Sequence, residues 1–157
     1  FLKDLKVAQD IADTVDVCPE IPILEVGPGM GVLTQFLLPK ERNVKVVELD
    51  YESVAYLREA YPQLEDNIIE DDFLKMNLQR LFGGQPFVLT GNYPYNISSQ
   101  IFFKMLVIAE RIQISKHCVA LNLTRILYAD MVRIGIHRHD LLPDLLRLLR
   151  QINAVAE

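Results

Sequence analysis

The strongest constraint on the fold is a regular alternation of short apolar runs and amphipathic stretches along the first two thirds of the chain. Candidate strands lie at residues 21–27, 43–50, 67–73 and 85–92, and helical patterns separate the first three at 31–39 and 51–62. Near-continuous apolar strands separated by helices are typical of a parallel sheet covered on both faces. The sequence therefore predicts an α/β fold with a doubly wound, mostly parallel sheet.

The remaining segments are predicted mainly as helices. An amphipathic helix is expected over 3–15, a short one over 74–82 and a longer one over 98–112. Beyond Ile112 the pattern allows a fifth strand at 116–123 and helices at 124–134 and 141–157. The chain of 157 residues suits one domain. We expect residues 1–106 to form its core and the divergent, mainly helical 107–157 to complete or cap a sheet that is incomplete on its C-terminal side.

Charge and hydropathy limit the classes of partner that the protein is expected to bind. The net charge is −5, with nine basic and sixteen acidic groups in residues 1–106 against seven and five in 107–157. This balance disfavours a general nucleic-acid binder, so any RNA contact should be local. Neither a membrane-spanning apolar run nor a basic-then-apolar leader is present, which predicts a soluble, cytoplasmic protein without a membrane partner. We also expect the protein to be a monomer. The "HRHD" at 137–140 lacks further ligands, so no metal is expected.

A glycine-rich loop follows the first predicted strand in "ILEVGPGMGVL". Gly27, Gly29 and Gly31 allow a sharp turn and let a ligand approach bare backbone amides at a helix start. The spacing is G-x-G-x-G, unlike the G-x-G-x-x-G of dinucleotide-binding proteins. Glu25 adds an anion that suits an ammonium or sulfonium group. We therefore expect S-adenosylmethionine, which carries an amino group, a carboxylate and a cationic sulfur.

Acidic residues also end the next two predicted strands. Glu48 in "VVELD" is expected to accept hydrogen bonds from the ribose hydroxyls, with Asp50 as a weaker candidate. Asp72 in "EDDF" is expected to accept a hydrogen bond from the adenine amino group, and Phe73 to cover the base. Each acid taken alone is ordinarily explained as a solvent-exposed carboxylate at the end of a strand. Three at successive strand ends predict a ligand site, because open α/β sheets bind ligands at that edge.

The fourth predicted strand runs into "GNYPYN", which has more polar and aromatic groups than a turn needs. An exocyclic amine on a heterocycle is a poor nucleophile, because its lone pair is delocalised into the ring. The Asn92 side-chain oxygen and the Tyr93 carbonyl, held outward by Pro94, would accept the amine hydrogens and localise the lone pair. Tyr95 would stack on the target base. We assign these four residues as catalytic, with Asn92 also beside the cofactor.

Residues 1 to about 106 resemble the ribosomal RNA adenine N6-dimethyltransferase family. The resemblance rests on four motifs taken together: "ILEVGPGMGVLT", "VVELD", "IIEDDFL" and "GNYPYNISSQIFFKML". The resemblance implies a Rossmann-like S-adenosylmethionine-dependent methyltransferase that dimethylates adenosines in precursor small-subunit ribosomal RNA. It also implies that Leu2 and Leu49 contact the cofactor. The C-terminal third does not match the family pattern.

Two alternative functions stay open. Other amino-methyltransferases, acting on DNA adenine, large-subunit ribosomal RNA or a protein glutamine, use similar tetrapeptides. The divergent C-terminal third also allows a non-catalytic fragment that binds cofactor or assists ribosome assembly. A methyl-transfer assay with exchanged substrates separates the first alternative, and Tyr95→Ala separates the second, because only an enzyme needs the stacking face for turnover.

Overall fold

The computed structural model describes residues 4–92 and, in the helix that follows, residues 97, 100, 101 and 104. The predictions for Leu2, for Tyr93, Pro94 and Tyr95, and for the segment 107–157 lie outside the described residues.

The first helix begins at an aspartate cap. Helix α1 spans Leu5–Asp13, and the Asp4 carboxylate accepts hydrogen bonds from the backbone N–H groups of Lys6 and Val7. Such a cap satisfies donors that have no partner in the first helical turn. Ala8 and Ala12, four residues apart on one face, are fully buried. A 3₁₀ turn over Thr14–Val17 then leads toward the sheet.

All four predicted strands form, and they pair in parallel. Strands β1 (Ile23–Val26), β2 (Val44–Glu48), β3 (Ile68–Glu70) and β4 (Val88–Thr90) lie in the order β3-β2-β1-β4. The chain builds outward from β1 in one direction and then returns to pair β4 with its other edge. The order therefore reverses between β1 and β4, which is the topological switch point at which open α/β sheets bind ligands.

Short helices connect the first three strands. Helix α2 spans Thr34–Leu37 and continues as a 3₁₀ turn over Leu38–Lys40. Helix α3 spans Tyr51–Ala60, and a 3₁₀ turn over Pro62–Asn67 precedes β3. Gln100, Ile101 and Lys104, which lie in the helix predicted over 98–112, are helical, and so is Ile97. The core strand β1 is buried along its whole length.

The sheet has an apolar cluster on each side. One cluster includes Leu24, Leu89, Phe87 and Ile101, and the other includes Ile23, Val46, Leu37 and Leu57. Leu24 and Ile23 are neighbours in β1 and point to opposite faces, so the strand must be apolar throughout. This burial explains the unbroken apolar run in the sequence.

The short helix predicted over 74–82 is wrong. The segment forms turns at 73–75 and 79–84. The side chain of Asn77 accepts a hydrogen bond from the Gln79 N–H at 3.0 Å, an arrangement that competes with helix formation. Gly83 and Gly84 follow with φ of 65° and 82°, which a helix does not allow. The segment is still anchored, because Leu78 and Phe82 are buried.

Candidate functional site

The glycine loop turns directly from β1 toward α2. Gly27, Gly29 and Gly31 have φ of 66°, 55° and 78°. A Cβ on Gly31 would lie 2.4 Å from the Cε2 atom of Tyr61, whereas a Cβ on Gly27 would meet no atom within 4 Å. A side chain at Gly31 would therefore displace the Tyr61 ring. Gly27 lies beside open space that a ligand can use.

The loop amides of the glycines are not bare, contrary to the sequence interpretation. The Gly27 N–H donates to the Val47 carbonyl at 2.9 Å, and the Gly31 N–H donates to the Pro28 carbonyl at 2.9 Å. The Gly29 N–H donates to Oε2 of Glu48 at 2.9 Å. Turn geometry uses these donors internally. The loop therefore favours a ligand by its lack of side chains at Gly27 rather than by free glycine N–H groups.

Glu48 lies where the sequence predicts, at the end of β2, but its carboxylate already has backbone partners. Its Oε1 accepts from the N–H groups of Leu49 at 2.8 Å and Asp50 at 3.0 Å, and its Oε2 accepts from Gly29. A carboxylate offers about four acceptor sites, so one remains for a ribose hydroxyl. Bonds to both hydroxyls would require one of the backbone donors to be released.

Glu25 is the most unusual group in the site, since it is 1% exposed within β1. The Thr34 hydroxyl donates to its Oε2 at 2.7 Å. Burial, with a smaller contribution from the neighbouring Glu48 charge, raises the pKa of Glu25 to about 8, although the Thr34 hydrogen bond opposes the rise. Within the described part of the chain, no ion pair involves Glu25. Among the described residues, burial therefore favours the neutral form of the Glu25 carboxyl near pH 7.

Asp72 follows β3 at the same edge of the sheet. Its Oδ1 accepts from the Leu74 N–H at 3.0 Å, and Lys75 contacts its Oδ2 at 3.1 Å. The Lys75 ammonium, helped by the Leu74 N–H, lowers the pKa of Asp72. Phe73 is only 5% exposed and packs in the apolar cluster with Leu24. A contact between adenine and Phe73 stays a prediction.

Two exposed apolar side chains border the strand ends. Leu49 is 67% exposed after β2, and Met30 is 46% exposed in the glycine loop. Exposed side chains of this size at a predicted ligand edge are suited to cover an aromatic base. Asp50, the weaker ribose candidate, instead caps α3, because its carboxylate accepts from the Ser53 N–H at 2.9 Å and from the Ser53 hydroxyl at 2.7 Å.

Asn92 lies two residues beyond the end of β4. The register pairs Glu25 of β1 with Thr90 of β4, and both chains then continue by two residues to Gly27 and Asn92. The first residue of the tetrapeptide thus follows the strand next to β1, at the switch point. The side chain of Asn92 is partly buried. The other three tetrapeptide residues and Leu2 lie outside the described range.

Three residues that support the site were not identified from the sequence. Thr34 binds Glu25, and the Tyr61 hydroxyl donates to the Gly31 carbonyl at 3.1 Å. The Lys104 ammonium donates to the carbonyls of Phe73 and Met76 and lies 5.1 Å from the Phe73 ring centroid. The sequence does carry one signal, since Thr34 ends the quoted motif "ILEVGPGMGVLT". No local pattern identifies Tyr61 or Lys104, whose partners are about 30 residues away.

Among the residues that the structure describes, no group of three or more potential ligands is placed to hold a metal ion. The same part of the chain holds no helix that is long and apolar enough to cross a membrane. The "HRHD" segment lies outside the described residues.

Comparison with known proteins matches this chain to one family. Residues 1–131 match the family described as ribosomal RNA adenine dimethylase. The ribosomal RNA small subunit methyltransferase A of Bacteroides fragilis is 90% identical over 106 residues, which are 68% of this chain and 39% of the relative. The protein of that name from Porphyromonas gingivalis is 59% identical over 113 residues, 71% of this chain and 44% of the relative. The chain thus spans about two fifths of these relatives.

A solved structure supports the fold. The 23S rRNA methyltransferase ErmE is similar with a TM-score of 0.56 and 36% identity, over 66% of this chain and 41% of that one. Together with the parallel strand order, this similarity confirms the predicted Rossmann-like methyltransferase fold.

Proposed function

Because this chain belongs to the ribosomal RNA adenine dimethylase family, we propose that it transfers methyl groups from S-adenosylmethionine to the N6 amine of adenosines in precursor small-subunit ribosomal RNA. The observation that carries the proposal is the pairing of β1 with β4, because the glycine loop follows β1 and Asn92 lies two residues beyond the Glu25–Thr90 register pair. A donor loop and an acceptor motif on adjacent strands suit direct transfer between two bound molecules. The 90% identity to the Bacteroides fragilis relative supports the ribosomal RNA substrate.

The described residues fit S-adenosylmethionine, which supplies an electrophilic methyl group on a sulfonium. Gly27 leaves open space at the loop, and Glu48 keeps one acceptor site for a ribose hydroxyl. Leu49 and Met30 are exposed apolar side chains that would cover the base. Glu25 supplies a carboxyl for the amino-acid end. Asp72 would bind the adenine amino group through the acceptor capacity that Lys75 and Leu74 leave.

On the acceptor side, we propose that Asn92 and the Tyr93 carbonyl accept the hydrogens of the target amine. Their acceptance draws the nitrogen toward a tetrahedral shape, with its lone pair directed at the methyl carbon. Pro94 would hold the carbonyl outward and Tyr95 would stack on the base. The protein would act as a cytoplasmic monomer, which size-exclusion chromatography with light scattering tests in its monomeric part.

A second candidate is methylation of large-subunit ribosomal RNA. The similarity to the 23S rRNA methyltransferase ErmE favours it specifically, although the identity is 36% against 90% for the small-subunit relative. Radiolabelled S-adenosylmethionine with immature small subunits and with deproteinised 23S RNA separates the two substrates.

Titration calorimetry tests cofactor binding, and the labelled-methyl assay tests transfer. We expect the folded chain to bind S-adenosylmethionine, and Asn92→Ala to reduce transfer by at least about tenfold while keeping most of the binding. Folded protein that gives no binding signal would refute the proposed function. Binding without transfer to any RNA or DNA would limit the function of this chain to holding the cofactor.

A further inference from the structure

We infer that Thr34 is a positioning residue that holds Glu25 ready to exchange its proton for the ammonium group of the cofactor, so that cofactor binding releases a proton. This inference rests on the proposed function, because it names what one residue does when S-adenosylmethionine binds. It assigns a task to two groups, Thr34 and the proton of Glu25, that methyl transfer itself does not use.

The first step concerns the surroundings of Glu25. Glu25 is 1% exposed as a whole residue, lies in β1 next to the switch point, and its carboxyl accepts a hydrogen bond from the Thr34 hydroxyl. Burying an ionised carboxylate without a cation is very unfavourable, so the neutral acid is the favoured form of the free protein. In the part of the chain that the structure describes, the titratable groups that interact with Glu25 are Glu48 of β2 and Tyr61 after α3, neither of which is a cation near pH 7.

The second step concerns a hydroxyl next to Glu25. Thr90 is its register partner on β4, so the two side chains emerge on the same face of strands about 4.8 Å apart. Thr90 is fully buried, and its Oγ1 has no hydrogen-bond partner in the described part of the chain. A buried hydroxyl without a partner is uncommon and points to a group that is absent. An ammonium, with three donors, can use both Thr90 and Glu25.

The third step is the proton balance. When the ligand ammonium arrives, the O–H bond of Glu25 breaks and its proton passes to the buffer. The remaining carboxylate pairs with the ammonium in a dry site, where the attraction between opposite charges is strong. Thr34 continues to donate to Oε2, and a hydrogen bond to the charged form makes ionisation easier. Burial thus raises the pKa of Glu25 and the ligand charge lowers it. Thr34 keeps the carboxyl oriented both in the free protein and in the complex.

The size of the effect follows from the raised pKa of Glu25, about 8 in the free protein. At pH 7 the acid is mostly protonated, so binding should release roughly 0.9 proton per ligand. Below pH 8 the apparent affinity should fall about tenfold for each pH unit, because the ligand must first displace the proton. The amino group of the ligand is itself charged at pH 7, so it does not supply the released proton.

Calorimetric titration at pH 7 in phosphate and in Tris, which have different ionisation enthalpies, measures the released protons directly. S-adenosylmethionine should release about 0.9 proton from the parent and about none from Glu25→Gln. The ligand control is 5′-methylthioadenosine, which lacks the amino-acid group and should release none from the parent. Circular dichroism checks that each variant is folded.

The role of Thr34 is tested by the pH profile of affinity. Thr34→Val should move its midpoint to higher pH, because the carboxylate loses its donor, and Thr34→Ser should restore the parent midpoint. A merely structural threonine would alter stability without moving this midpoint. If the parent binds S-adenosylmethionine without releasing a proton, the inference is overturned and the proposed function stands. If the folded parent does not bind at all, the proposed function fails and the inference with it.

Discussion

Gly31 and Gly27 share a left-handed backbone conformation but have different surroundings. Substitutions at these two glycines should therefore distinguish an effect on packing from an effect on ligand binding. A Cβ on Gly31 would clash with Tyr61 at 2.4 Å, and a Cβ on Gly27 would enter open space. Both alanine variants carry the strain of a positive φ, about 1–2 kcal/mol. Gly31→Ala adds the displacement of a ring whose hydroxyl donates to the same residue.

We therefore expect Gly31→Ala to lower the free energy of unfolding by at least about 1 kcal/mol more than Gly27→Ala. Gly27→Ala should instead weaken S-adenosylmethionine binding more than its stability loss explains. Urea denaturation and calorimetric titration of both variants measure the two effects. Equal losses of stability in the two variants would contradict the observed difference in packing.

Glu25 provides a pH-dependent prediction at the residue scale. Its pKa is about 8 in the folded protein, against an ordinary value of 4.5. Between these two pH values the folded state holds a proton that the unfolded state has released. The free energy of unfolding should therefore fall as pH rises across this window, by on the order of 1 kcal/mol per pH unit at most.

Glu25→Gln should remove this contribution, because the amide keeps the shape and does not ionise. Urea denaturation at several pH values between 4.5 and 9 should show that the free energy of unfolding of the variant rises relative to that of the parent as pH increases. The exposed Glu59→Gln is the control and should follow the parent profile. Parallel profiles for the parent and Glu25→Gln would show that Glu25 does not titrate in this window.

At the scale of elements, Lys104 links the helix after β4 to the turn that carries Asp72. Its ammonium donates to the Phe73 and Met76 carbonyls, the second at 2.6 Å, and faces the Phe73 ring. Lys75 is also a lysine in this region, but it is 83% exposed and contacts only the Asp72 carboxylate among the ion pairs described. The two lysines thus compare a tertiary link with a surface ion pair.

Lys104→Met keeps the aliphatic stem and removes both charge-assisted bonds, so it should lower the free energy of unfolding by about 1.5–3 kcal/mol. Lys75→Met should cost at most about 1 kcal/mol. Thermal and urea denaturation compare the variants. A loss at Lys104 no larger than the loss at Lys75 would show that the link does not hold the helix.

The secondary-structure elements also show which parts of the fold can be predicted from the sequence. All four strands and their parallel pairing were predicted from apolar runs, because a strand buried on both faces needs an apolar residue at nearly every position. The helix predicted over 74–82 failed, since the Asn77 side chain and the following glycines favour turns. In the candidate site, the sequence predicted Glu25 next to the glycine loop and Glu48 at a strand end, and the structure places them in β1 and at the end of β2; their roles stay predictions. The sequence missed Tyr61 and Lys104, because their roles arise from contacts between residues about 30 positions apart.

At the scale of the whole molecule, the strand order brings residues from distant parts of the sequence to one edge. The glycine loop, the Glu48 carboxylate and the Asp72 turn follow β1, β2 and β3, and Asn92 follows β4 on the other side of β1. This arrangement explains why the motifs occur in the order in which they do. Donor and acceptor sides of the proposed reaction meet where the winding direction reverses.

The most direct test of this account is a crystal structure of the chain with S-adenosylmethionine bound. We predict the ribose at Glu48, the base between Leu49 and Met30, the amino group at Glu25, and the sulfonium methyl directed toward Asn92. A ligand bound away from the ends of β1 and β2, or one whose methyl group faces away from Asn92, would contradict the account.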